Sequence, residues 1–172
     1  YKLLMKGRVL DVGGNRVGKR GSFRPPMEAV QSWEYLNTDE SKGPDYCCQA
    51  EEIPLPDKSI DTVIMTELME YLPNPEEVLS EIYRVTKDGC HVLISVPFLN
   101  PVHGDHWADR SRFTPVALRE IAQEAGFQVD TIEAMGSVGA VIYDVLRVSF
   151  GYADSDGNYT RWNKLLEQSR RF

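Results

Sequence analysis

Hydrophobic and polar positions fall into two alternating periods along the chain. Val9 to Val12 is a short apolar run of the kind buried strands use, and Trp33-Glu34-Tyr35-Leu36-Asn37 and Asp61-Thr62-Val63-Ile64-Met65 share its character. Tyr46-Cys47-Cys48 is a shorter candidate strand. From Pro75 the period becomes helical: Val78, Leu79, Ile82 and Tyr83 recur at three- and four-residue spacing, Pro75 suits a first helical position, and Lys87-Asp88-Gly89 stops the run. Cys90 to Val96 then predicts a strand ended by Pro97. Ala117 to Ala125 predicts a helix closed by Gly126, and Phe127 to Glu133 a further strand. The first connection is irregular, with Gly21 to Pro26 extended and Met27 to Ser32 giving at most a short helix. Val138 to Phe150 is apolar with isolated charges at Asp144 and Arg147, which predicts a packing or lid helix, and Tyr159 to Arg171 predicts a short amphipathic one. No clean seventh strand follows.

Strands alternating with helices predict an α/β protein with a Rossmann-like, doubly wound, mostly parallel sheet and an incomplete or atypical C-terminal strand. The 172 residues, 42% of them hydrophobic, suit one domain with one sizeable core. Its core is expected at about 7–135, with 136–172 as a helical or lid extension. A net charge of -7 argues against a broad nucleic-acid surface, so no nucleic-acid partner is expected and the substrate should be small. The sequence has no apolar run long enough to span a bilayer and no signal-peptide pattern, which predicts a soluble, cytoplasmic protein. Three cysteines, two of them adjacent at Cys47 and Cys48, make neither a disulfide framework nor a zinc-ligand spacing. The chain begins at Tyr1 without a methionine, as a fragment would. Nothing in it sets the oligomeric state.

The chemistry centres on Arg8-Val9-Leu10-Asp11-Val12-Gly13-Gly14-Asn15-Arg16-Val17-Gly18, an apolar strand that ends in a carboxylate and runs into glycines. Gly13 to Lys19 fits the spacing of a phosphate-binding loop, but Arg20 stands where a hydroxyl should reach magnesium, and Pro25-Pro26 interrupt the helix that should follow. A dinucleotide loop would place its middle glycine at Asn15. A third reading uses Asp11, whose charge would repel phosphates but suits a cationic ligand such as S-adenosylmethionine (SAM). A glycine turn with a helix-capping Asp and no ligand is the fourth. Asp39 lies near the tip of the second strand, where an acid can accept from both ribose hydroxyls, or else it is a solvated turn residue.

The run Leu10-Asp11-Val12-Gly13, the acid Asp39, Ala50-Glu51-Glu52-Ile53-Pro54-Leu55-Pro56-Asp57-Lys58-Ser59-Ile60-Asp61 and Arg84-Val85-Thr86-Lys87-Asp88-Gly89, in this order, resemble the class I SAM-dependent methyltransferases of the small-molecule branch. The resemblance covers about Val9 to Val129, and its middle block is more specific than the glycine loop. It implies a seven-stranded methyltransferase fold, SAM as cofactor, Asp39 on the ribose and Gln49-Ala50 beside the adenine. The expected cofactor-binding set is Asp11, Gly13, Gly14, Asn15, Asp39, Gln49, Ala50, Glu51 and Thr66. Two positions depart from the family: Asn15 stands where a glycine is usual, and Gln49 where an aspartate often accepts from the adenine amine. Gln49 retains an acceptor in its amide oxygen.

Past Pro97, the segment Phe98 to Pro115 leaves the carboxyl end of a central strand and is the candidate substrate loop. His103 or His106, oriented by Asp105, would supply a base for a hydroxyl acceptor near neutral pH. The same residues as metal ligands would lack a fourth, so no metal is expected. Trp107 and Phe113 are candidate substrate-facing aromatics, and Thr114 and Pro115 should cap and open the next helix. The expected reaction is methyl transfer from SAM to a hydroxyl or amine of a small molecule or sugar. The alternatives are a methyltransferase-like module that binds SAM without catalysis and a nucleotide-dependent oxidoreductase. No Asn/Asp-Pro-Pro-aromatic run follows Met65, which argues against exocyclic base amines as acceptors.

Overall fold

The computed structural model of the chain describes residues 4–17, 27–99 and 108–150. It divides into two compact units: one comprises Tyr1–Pro97 with Arg110–Asp130, and the other Phe98–Asp109 with Thr131–Phe172. The helix expected at Tyr159 to Arg171 and the loop residues 100–107 lie outside the described residues.

The first unit holds a five-stranded sheet of β1 (Gly7–Val12), β2 (Val30–Asn37), β3 (Tyr46–Cys47), β4 (Ile60–Thr66) and β5 (Thr86–Ser95), in the order β3-β2-β1-β4-β5. Every pairing is parallel. This is the strand order of a Rossmann-like sheet, with β1 and β4 meeting where the order reverses. Residue alternation divides the central strands between two faces. Leu10 and Val12 of β1 join Val63 and Met65 of β4 in the main core, whereas Val9 and Ile64 join Met5 in a smaller cluster on the other face. Helix α1 (Pro75–Val85) closes the main core with Val78, Leu79, Ile82 and Val85, all at most 1% exposed. Helix α2 (Pro115–Glu124) adds Leu118 and Ile121, and Thr114 caps it by accepting from the Ala117 N–H at 3.2 Å.

Several elements differ from expectation. The segment Met27 to Ser32 is not a helix: β2 starts at Val30, because Val30-Gln31-Ser32 continues the extended ladder beside β1. β5 begins earlier than Cys90, but Ile60 pairs with Thr86 and Thr62 with His91, so the residues between bulge out of the ladder. Lys87 and Asp88 of that bulge bond Asp61 and Lys58. Phe127 to Glu133 forms no strand. Phe127 instead packs edge-on against Tyr83 of α1, ring centroids 5.1 Å apart, and the Arg119 guanidinium of α2 donates to the Val129 carbonyl at 3.4 Å. Of the seven strands the resemblance implies, five stand among the described residues. Phe113 is 8% exposed inside the main core, so its aromatic surface serves packing, not substrate.

In the second unit α3 (Val138–Phe150) forms as predicted, with the Ser137 hydroxyl accepting from the Ala140 N–H at 3.2 Å. Among the described residues no helix is long and apolar enough to cross a membrane.

Candidate cofactor site at the carboxyl end of the sheet

β1 ends on Asp11 and Val12, and the chain then turns at Gly13, whose φ of +79° is a conformation that a side chain would strain. The Gly13 N–H donates to the Leu36 carbonyl at 2.8 Å, which binds the turn to β2. At Gly14 a Cβ would fall 2.3 Å from the Asp11 carboxyl carbon, so the loop lies directly over that carboxylate and a side chain here would displace one or the other. One Asp11 oxygen accepts from the Trp33 indole N–H at 3.2 Å. The Arg16 and Val17 N–H groups both donate to the Lys42 carbonyl at 3.0 Å. The Arg16 guanidinium pairs with Asp45 and lies 5.3 Å from the centre of the Tyr35 ring. The loop is thereby laid across the β2–β3 connection.

At the end of β2, Asp39 caps a single 3-10 turn, Glu40–Lys42. Its Oδ1 accepts from the Ser41 N–H at 2.9 Å and the Ser41 hydroxyl at 2.6 Å, while Lys42 Nζ is 3.5 Å from Oδ2. The Ser41 hydroxyl, then its N–H, holds the carboxyl below the usual carboxylate range, so Asp39 stays charged and remains an acceptor in mild acid.

Between these two elements opens a cleft lined by Gly13, Leu36, Asn37, Thr38, Ala50, Leu68 and Leu72. Of the expected cofactor residues, Gly13 and Ala50 line it directly. Asp39 follows Thr38 at its rim, and Asp11 supports the loop from below. Gln49 precedes Ala50 and is exposed, with its backbone carbonyl accepting from the Glu52 N–H at 3.3 Å. Thr66 is exposed at the end of β4 and is not part of the lining. His103, Asp105 and His106 lie outside the described residues. Leu36, Asn37, Thr38, Leu68 and Leu72 are not among the expected cofactor residues. Leu68 and Leu72 flank a 3-10 turn at Met69–Tyr71, in a stretch whose apolar content the sequence displays but whose turn it does not.

The diagnostic middle block has a different neighbour. Arg84 of α1 donates to the Leu55 and Ile53 carbonyls, both at 2.9 Å, and to Asp57 at 2.6 Å. Glu81 pairs with Arg84 and accepts from the Ile53 N–H at 2.8 Å. Arg84 holds the Glu81 carboxyl below its ordinary range. These groups fix the 53–57 strap to α1 and so set Ala50, at its upstream end, against the core.

Residues 2–132 match the family described as a methyltransferase domain. The chain belongs to that methyltransferase family. It is 30% identical over 105 residues to a "probable S-adenosylmethionine-dependent methyltransferase" of Mycolicibacterium smegmatis, a match covering 54% of this chain and 38% of that protein. The chain thus spans well under half the length of that curated relative. A SAM-dependent methyltransferase from Aquifex aeolicus shares the fold at a TM-score of 0.54 and 21% identity, covering 74% of this chain and 76% of that one. The [4+2]-cyclase SpnF shares it at a TM-score of 0.63 and 18% identity, covering 99% of this chain and 71% of that one. SAM is the cofactor that methyltransferase membership implies, and it sets aside the phosphate-binding and dinucleotide readings of the glycine loop.

The residues present fit that cofactor. The cleft offers an apolar floor of Leu36, Ala50, Leu68 and Leu72 for a flat base, and Asp39 offers a charged acceptor beside it. Glu51, next to Ala50, has a buried Oε2 that no group among the described residues bonds. The turn at Gly14 lies over the Asp11 carboxylate, which suits a cationic ligand better than a phosphate.

Proposed function

We propose that the chain binds SAM between the 13–15 loop and Asp39 and transfers its methyl group to a hydroxyl or amine of a small molecule or sugar. The observation that carries this reading is the apolar cleft at the carboxyl end of the parallel sheet, with the glycine turn on one side and a charged, exposed acid on the other. Leu36, Leu68, Leu72 and Ala50 would enclose the adenine, with Gln49 and Glu51 as acceptors near its amine. Asp39 would bind the ribose hydroxyls. Gly13, Gly14 and Asn15 would meet the amino-acid end, with Asp11 beneath them and Thr66 across the site. When bound, SAM supplies an activated methyl group, and the protein's task is alignment of the acceptor with it. For a hydroxyl acceptor, His103 or His106 would take the proton, with Asp105 orienting the ring. His→Ala at the residue that acts should lower turnover by about 10² to 10⁴ with cofactor affinity unchanged.

A module that binds SAM without methyl transfer is the second reading, favoured by the departures from the family at Asn15 and Gln49, since fold alone does not set activity. Thermal unfolding with SAM, NAD(P) and ATP tests the cofactor assignment. A ligand at about 100 times its dissociation constant adds about 2.7 kcal/mol of stability, and only SAM or its demethylated product should do so. Mass spectrometry of small hydroxyl and amine acceptors incubated with SAM then separates the enzyme from the binding module.

A further inference from the structure

We propose that Asn37 is a positioning residue that couples the two ends of the cofactor site, with Asn15 as its partner; this rests on the SAM reading above. Asn37 is the last residue of β2 and lines the cleft. Its Nδ2 lies 3.2 Å from the Gly13 carbonyl, 3.1 Å from the Gly14 carbonyl and 3.1 Å from Asn15 Oδ1. A primary amide has two hydrogens, so three acceptors share them and the loop is gripped at three consecutive residues. On its other side, Asn37 Oδ1 accepts from the Asp39 N–H at 2.9 Å. One side chain thus spans from the loop expected at the amino-acid end of SAM to the acid expected at its ribose. A second link runs through the Lys42 backbone, which accepts from Arg16 and Val17 and donates to the Asp39 carbonyl at 3.0 Å. That link survives any change at Asn37, so the surrounding turn should still form.

Asn15 gains a purpose from this arrangement. At the position where a glycine is usual, its amide oxygen supplies the third acceptor for Asn37. A side-chain bond thereby fixes a loop that a glycine would leave freer. The separation of the two ends matters to a ligand that touches both and matters little to one that touches the ribose end alone.

The experiment is calorimetric titration of the parent, Asn37→Asp, Asn15→Ala and the double variant with S-adenosylhomocysteine and, separately, with adenosine, which lacks the amino-acid end. Asn37→Asp keeps the acceptor for the Asp39 N–H but turns a carboxylate toward two carbonyls. S-adenosylhomocysteine should bind Asn37→Asp about tenfold or more weakly, and adenosine within about threefold of the parent. Asn15→Ala should cost about threefold, and adding it to Asn37→Asp should cost nothing further, because the two share one interaction. Equal losses for both ligands, or unchanged S-adenosylhomocysteine affinity, would overturn the proposal. Should Asn37→Asp fail to fold, Asn15→Ala carries the same two-ligand comparison, with the loss of about threefold confined to S-adenosylhomocysteine and adenosine affinity unchanged. A parent that binds neither ligand would overturn the cofactor reading itself, and the positioning role with it.

Discussion

The 53–57 strap and the 13–17 loop are both connections beside the same sheet, and they are held in opposite ways. In the strap, charged side chains meet backbone groups and one another: Arg84 reaches two carbonyls, Asp57 and Glu81, and Glu81 reaches the Ile53 N–H. In the loop, neutral amides and backbone groups predominate, glycines allow close approach, and the adjoining surface is an open cleft. The strap's polar groups are engaged with each other and leave little for a ligand. The loop and the Asp39 turn leave a charged acceptor exposed beside an apolar cleft. Apart from Ala50, which lines the cleft, the block that is most specific to the family fastens a strap to α1.

If that division is correct, Arg84→Ala should have the largest effect on stability, about 2 to 4 kcal/mol by chemical denaturation. The affinity of the folded variant for S-adenosylhomocysteine should stay within about threefold of the parent. Collapse of affinity at unchanged stability would reverse the assignment of the two connections.

A second locked cluster offers a pH test. Arg8 donates to Glu34 through Nε at 2.6 Å and through a terminal nitrogen at 2.8 Å, and the Tyr46 hydroxyl donates to the same carboxylate at 2.6 Å. The Arg8 bond, aided by Tyr46 and Ser32, pulls the Glu34 carboxyl from 4.5 down to about 2. Since the folded value is the lower, the stabilisation is complete above the unfolded value and is lost as pH falls toward the folded one. Between about pH 4.5 and 2 the protein should lose on the order of 2 to 3 kcal/mol through this half-buried group. Glu34→Gln should flatten that part of the stability profile, measured by denaturation at each pH.

At the open end the effects should appear in binding. Asp39→Ala should weaken S-adenosylhomocysteine about ten- to a hundredfold, read by calorimetry. Unchanged affinity would return Asp39 to the role of a turn cap. Gly13→Ala is the smallest of these changes in stability, about 1 kcal/mol for a side chain in the left-handed region, with the Leu68 methyls 3.1 Å from the new Cβ. Its effect on cofactor affinity should exceed its effect on unfolding.

How much of this was legible in the residues follows from the range of the interactions. Val9 to Val12, Asp61 to Met65 and the α1 stripe declare themselves because burial imposes a local period. Thr114 and Pro115 announce α2 because a cap is a contact between near neighbours. The bulge in β5 depends on Asp61 and Lys58, far away in sequence, and Phe127 leaves the expected strand because Tyr83 receives its ring. The candidate site divides in the same way. Asp11, the glycines and Asp39 stand out as candidates at strand tips, whereas the Asn37 clip joins positions more than 20 residues apart and has no local signature.

The cleft between the glycine loop and Asp39 is tested most directly by titrating S-adenosylhomocysteine into the parent and Gly14→Ala side by side. In the variant the new Cβ would fall 2.3 Å from the Asp11 carboxyl carbon, so either the loop or the Asp11 carboxylate must shift. The expected result is saturable binding with one ligand per chain in the parent, lost or weakened more than about tenfold in a variant that still unfolds cooperatively. No heat with the folded parent, or undiminished binding in Gly14→Ala, would contradict the assignment.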